Sequence, residues 1–106
     1  MFYKKENTEY KTPLDGVHFK TLAYGKNTSI HEFHLDKGST VPLHSHPHEQ
    51  TGYLVSGKMN FNFKDRTLLA ETGDSWSIPG GEEHGVDVID DCIVIEVFSP
   101  VREDYL

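Results

Sequence analysis

The stretch PLHSHPHEQ, residues 42–50, gathers five side chains that hold metal ions or move protons: His44, His46, His48, Glu49 and Gln50. Imidazole nitrogens and carboxylate or amide oxygens are ligands for divalent transition ions. On an extended chain, residues two apart point to one side. His44 and His46 then share a face with Ser45 opposite, and two imidazoles so placed can chelate one ion. Pro47 cannot donate to a ladder and predicts a bend or bulge after His46. Beyond that bend, parity does not choose among His48, Glu49 and Gln50. A lone His-x-His pair is weak evidence of a site. It gains weight from GDSWSIPGGEEHG, residues 73–85, where Pro79 and Gly81 lead to a further histidine, His84. His18, His31 and His34 read as surface or hydrogen-bonded strand histidines, with His34 a lesser pocket candidate.

The elements that must position these residues are strands. Apolar residues recur in short runs cut by turn residues, as in VHFKTLAYG, SIHEFHLDKG, TGYLVSG, KMNFNFKD, RTLLAETGD, SWSIPGG, HGVDVIDD and CIVIEVFSP. Met59, Phe61 and Phe63 alternate with Asn60 and Asn62, the two-residue period of a half-buried strand. Ser56-Gly57 reads as a turn between two strands. No stretch shows a wide helical stripe with caps. Many short strands predict an antiparallel all-β sandwich or barrel.

The 106 residues suffice for one domain and one core. A net charge of −7 with scattered basic residues offers no footprint for nucleic acid. Cys92, the single cysteine, lies in an apolar run and reads as a small buried hydrophobe. No apolar run approaches the roughly 20 residues needed to cross a bilayer, and MFYKKENTEY has no signal-peptide core. A cytoplasmic protein is the expectation.

Taken together, GSTVPLHSHPHEQTGYLVSG and GDSWSIPGGEEHGVDV resemble the two motifs of the cupin superfamily. The first motif places Gly, His-x-His, Glu and Gly in order, matched by Gly38, His44, His46 and Gly57. The second places Gly, Pro-x-Gly, His and Asn, matched by Gly73, Pro79, Gly81 and His84. Two positions depart: the family Glu falls on Gln50, and the final Asn on Val88. The resemblance implies a double-stranded β-helix, the jelly-roll barrel, as a single domain over residues 1–106 with the barrel at about 30–100. It also implies one divalent metal ion (Zn, Ni, Fe or Mn) held by His44, His46, Gln50 and His84, with His48 a neighbour at the rim or behind the ligands. Neutral ligands leave the ion its full charge, which makes it a stronger Lewis acid and favours anionic substrates.

The C-terminal stretch IEVFSPVREDYL extends the resemblance to small cupins of the KdgF type, which act in pectin and alginate breakdown. These convert 4,5-unsaturated monouronates to the linear ketonised acid with a set of three His and one Gln. Their acid, Phe and Arg positions map onto Glu96, Phe98 and Arg102. The family acid is Asp, so Glu96 is one methylene longer. The resemblance implies that Glu96 moves the proton, Arg102 clamps the substrate carboxylate and Phe98 lines the pocket. The competing readings turn Glu96 to solvent and pair Arg102 with Glu103 or Asp104 on the surface. Tyr53 and Trp76 are candidates to stack on a sugar ring, with core packing the alternative for Trp76. The expected partner is a small anionic sugar acid, without nucleic acid or membrane. The family further implies a homodimer, and MFYKKENTEY is a candidate exchanged edge strand. Other metal-dependent cupin activities (dioxygenase, lyase, polyketide cyclase) and a binding cupin without turnover are the alternatives.

Overall fold

A computed structural model describes residues 1–7 and 9–106. Eight strands run β1 (Lys11–Leu14), β2 (Val17–Tyr24), β3 (Ser29–Leu35), β4 (Thr40–His44), β5 (Glu49–Phe63), β6 (Thr67–Glu71), β7 (Ser75–Ile78) and β8 (His84–Ser99), with short 3₁₀ turns at Lys5–Asn7 and Glu103–Tyr105. Every pairing is antiparallel. The order is β1-β2-β3-β8-β5-β6, with β4 joining β8 and β7 joining β5. This is the jelly-roll barrel.

Long bent strands β5 and β8 form its spine. The sequence predicts a turn at Ser56-Gly57, but β5 runs through it as one strand. The ladder to β8 shifts register between Leu54 and Ser56, again between Ser56 and Lys58, and again between Lys58 and Met59. Gly57, at φ 110°, supplies the left-handed backbone of this bulge. An added Cβ there would meet the Asp91 carbonyl at 2.4 Å, so the spine closes only over glycine. Likewise HGVDVIDD and CIVIEVFS form one strand, not two.

Inward positions alternate as a strand period demands. Leu54, Met59, Ile78, Val94 and Cys92 are buried, and each large aliphatic among them contributes about 1.5–3 kcal/mol through burial. The N-terminal segment proposed as an exchanged edge strand forms no strand over residues 1–7. Residues 1–7 hold only the 3₁₀ turn, and Tyr3 packs back on its own chain by donating its hydroxyl to the Tyr24 carbonyl at 3.1 Å. The pairing strand begins at Lys11; Thr8, also in that stretch, lies outside the described residues. Among the described residues, no helix is long and apolar enough to cross a membrane.

Candidate metal centre and active site

β4 ends at His44, and the chain then bends at residues 45–48 before β5 begins. His46 therefore lies off the strand, not on a shared strand face as parity predicts. It still reaches the same centre, because the bend is held from outside. The Gly81 N–H donates to the His46 carbonyl at 2.8 Å. Gly80 lets that loop approach, since a Cβ there would sit 2.2 Å from the Pro47 carbonyl oxygen. His84 opens β8 directly across from His44. One ring nitrogen from each of His44, His46 and His84 lies within 4.8 Å of the others.

The protons on these rings are fixed by their partners. His44 Nδ1 faces the Pro42 carbonyl at 2.9 Å, His46 Nδ1 the His48 carbonyl at 3.0 Å, and His84 Nδ1 the Glu82 carbonyl at 2.8 Å. A carbonyl only accepts, so each Nδ1 donates and each neutral ring presents a lone pair at Nε2. Burial, with Arg102 and His84 adding to it, pushes His46 down to about 4. Burial also lowers His84. Gln50, on β5, places Oε1 2.7 Å from His46 Nε2 while its Nε2 donates to Glu96 at 3.2 Å. Two acceptors that close repel each other unless a cation lies between them. This donor set, three neutral imidazoles and one amide oxygen, fits a divalent transition ion.

Beside it lies a buried carboxyl. Glu96, on β8, is 7 % exposed and faces inward with Val94 and Phe98, so the solvent reading of Glu96 fails. Trp76 Nε1 donates to Glu96 Oε1 at 3.0 Å, and Gln50 Nε2 to the other oxygen. Burial pushes the Glu96 carboxyl up to about 8, and these two bonds only partly offset it. Gly52, across the ladder from both Glu96 and Trp76, makes room for the contact. A Cβ at Gly52 would meet Trp76 Nε1 at 2.2 Å and Glu96 Oε2 at 2.5 Å. Sequence reasoning passed over Gly52, although a glycine inside a strand signals such a close approach.

Arg102 follows β8 and returns over the cavity. Its guanidinium lies 4.8 Å from the centre of the Phe98 ring and 4.0 Å from that of Tyr105. Nε and Nη2 grip Asp104 at 3.0 and 2.8 Å. The pair with Asp104 therefore exists, but the arginine is buried at 8 % exposure and does not lie on the surface. Asp104 occupies the side-on fork, which leaves the Nη1/Nη2 edge for a second acid group. A cavity of about 310 Å³ is bounded by the metal-set residues, Glu96, Phe98, Arg102 and Tyr105, with an apolar wall that includes Val41 and Phe61.

Two residues expected to contact substrate do not line this cavity. Tyr53 is 47 % exposed on the outer face of β5, at odd spacing from inward-facing Gln50 and Gly52, and does not line the cavity. Trp76 does not line it either; it packs edge-on against Phe61 at 5.0 Å and acts on Glu96 through its N–H. His48 contributes its backbone carbonyl to His46, while its ring lies near Phe98, 6.4 Å between centres. Tyr105 is a cavity-lining residue that the sequence did not single out.

The barrel, with three convergent histidines that could hold a metal ion, defines a class of small β-barrel, and comparison with known proteins names it. The cupin domain matches residues 31–98, and the chain belongs to that family. More particularly, the chain is 25 % identical to the pectin degradation protein KdgF of Dickeya dadantii (strain 3937), over 99 % of this chain and 97 % of that one. The structure of KdgF from Halomonas sp. superposes with a TM-score of 0.91 at 26 % identity, covering both chains fully. An RmlC-like cupin from Shewanella frigidimarina NCIMB 400 also gives 0.91, at 30 % identity over 99 % of this chain and 95 % of that one.

Proposed function

We propose that the protein opens the ring of 4,5-unsaturated monouronates and yields the linear ketonised acid, with His44, His46, Gln50 and His84 holding one divalent ion. The observation that carries this reading is the contact between Gln50 and Glu96: one amide joins the metal-facing set to a buried carboxyl poised near neutrality. The bound ion supplies Lewis acidity toward substrate oxygens.

The reaction is an isomerisation. A proton leaves the anomeric hydroxyl, the bond from the anomeric carbon to the ring oxygen opens, and the carbon at position 4 gains a proton. Glu96 is suited to hold that proton, because a carboxyl with a pKa of about 8 both gives and takes at neutral pH. Trp76 and Gln50 fix its two oxygens. Arg102 offers its free edge to the substrate carboxylate, and Phe98 backs the ring. Fit to the sugar-acid class also rests on the likeness to the two KdgF proteins.

The test is to load the purified protein with a divalent ion and follow the conjugated-acid ultraviolet absorbance of an unsaturated galacturonate. Loss of that absorbance without oxygen uptake is expected, and it should be abolished in Glu96→Gln. An unchanged signal with the metal-loaded protein overturns the reading. The homodimer expected from the family belongs to the same reading, and size-exclusion chromatography with light scattering tests it.

A further inference from the structure

His31 is fully buried on β3, away from the convergent metal set, and both of its ring nitrogens are matched by hydroxyls. Ser29 Oγ lies 2.8 Å from Nε2, and Thr21 Oγ1 lies 3.0 Å from Nδ1. Ser29 Oγ accepts the backbone N–H of Arg102 at 3.1 Å. Its own proton is then directed to His31 Nε2. Burial holds His31 neutral down to about pH 4, so Nδ1 carries the ring proton and donates to Thr21. The Thr21 hydroxyl donates in turn to the Tyr105 carbonyl at 3.3 Å, which Lys11 Nζ also reaches at 3.1 Å.

The chain of bonds thus has one consistent direction. It starts at the backbone of Arg102, crosses β3 and β2, and ends at the backbone of Tyr105. Aromatic packing follows the same path: the His31 ring centre is 5.5 Å from Phe98 and 5.2 Å from Tyr105, and Tyr105 is 4.4 Å from Phe19. A serine beside a histidine suggests a nucleophile, but Ser29 is 2 % exposed and does not line the cavity. Both ends of the network lie instead on the segment that carries Arg102.

We infer that Thr21, Ser29 and His31 are positioning residues, a hydrogen-bonded latch that holds the strap of residues 102–105 across the cavity and sets Arg102 to receive the acid group of the substrate. The latch stands on these bonds alone; its effect on substrate rests on the role proposed for Arg102 above. A network that served only to satisfy the core would tie together strands of the barrel. This one ties the barrel to a strap whose own bonds are all local: Glu103 N–H to the Val101 carbonyl, Tyr105 N–H to the Arg102 carbonyl, Leu106 N–H to the Glu103 carbonyl, and the Arg102–Asp104 pair.

The experiment compares wild type with Thr21→Val, Ser29→Ala and the rescue variant Thr21→Ser. Amide hydrogen exchange is read at residues 102–106 and along β5 and β8. Calorimetry measures Zn²⁺ binding and the binding of D-galacturonate, with D-galactose as the uncharged control. Thr21→Val and Ser29→Ala are expected to speed strap exchange by about tenfold, the scale of one lost hydrogen bond, with β5 and β8 unchanged. Galacturonate affinity falls by about the same factor, Zn²⁺ affinity stays, and Thr21→Ser restores both readouts. Strap exchange at the wild-type rate, or a rise shared equally by β5 and β8, overturns the latch. Faster strap exchange with unchanged galacturonate affinity overturns its positioning role. If wild type itself fails to bind galacturonate, the sugar-acid reading falls, and the exchange data still decide the latch.

Discussion

Histidines in this barrel solve the same problem in two ways. His46 and His31 are both pushed down to about 4, chiefly by burial, so both are neutral. His46, like His44 and His84, gives its Nδ1 proton to a backbone carbonyl and aims Nε2 at other acceptors. His31 finds a hydroxyl at each nitrogen, and every lone pair meets a proton. Burial and neutrality therefore do not mark a ligand. Crowded lone pairs do, because only a cation relieves them.

The largest effect that tests this contrast is on metal affinity. His84→Ala should weaken Zn²⁺ binding by more than the roughly 10- to 100-fold that loss of a supporting residue costs. His31→Gln should leave it unchanged. Competition with a chromogenic chelator measures both, and a comparable loss in the two variants breaks the distinction.

Next in size is the amide itself. Gln50→Glu would set a second carboxylate at the distance where Gln50 Nε2 now donates to Glu96, 3.2 Å. Without metal the two acids must share a proton or repel, so the metal-free variant should be less stable than wild type, by about 1–3 kcal/mol for the lost donor. Zn²⁺ should restore more stability to the variant than to wild type, because a carboxylate binds the ion more strongly. Urea denaturation with and without Zn²⁺ checks this. A metal-free variant as stable as wild type would mean that the Glu96 contact is not what favours an amide at position 50.

Much of this contrast could be read from the sequence, and the rest has physical reasons for being hidden. His44, His46 and His84 stood out because Pro79, Gly81 and the flanking glycines impose a fixed backbone path around them. Glu96 and Phe98 were legible as a pair because a strand period puts both on one side. The same period places Tyr53 outside once Gln50 is inside, so that expectation was avoidable. Gly57 misled because a local reading cannot tell a turn from a bulge. Here the choice is made by the Asp91 carbonyl, far along the chain. The latch was invisible for a similar reason. Alternation puts Ser29 and His31 on one face, but only the folded chain brings Thr21 and the backbone of residues 102 and 105 to them.

The smallest expected effect is a slope of stability with pH, and its sign separates the groups. His31, His46 and His84 all have folded pKa values below the usual 6.5. Below about pH 6.5 the unfolded chain holds protons that the folded one lacks, so the metal-free protein loses stability as pH falls toward 4. Glu96 works the other way. Its carboxyl is raised from 4.5 to about 8, so through that window the folded state holds a proton that the unfolded chain has released. Its contribution therefore weakens as pH rises. The trends oppose each other below about pH 6.5, and Glu96 acts alone above it, up to about pH 8. Metal-free wild type should lose stability across that upper range in urea titrations, while Glu96→Gln stays flat; parallel curves would remove Glu96 from the account. On the acid side Zn²⁺ supplies the discriminating step. Rings engaged by the ion take no proton until it leaves, so saturating Zn²⁺ should suppress the slope from His46 and His84. The part that remains between about pH 4.5 and 6.5, read in Glu96→Gln so that the opposing slope of that carboxyl is absent, should belong to His31 and vanish when His31→Gln is added. If Zn²⁺ erases the whole acid-side slope in Glu96→Gln, His31 is not a separate, hydroxyl-matched histidine, and the contrast between the two groups fails.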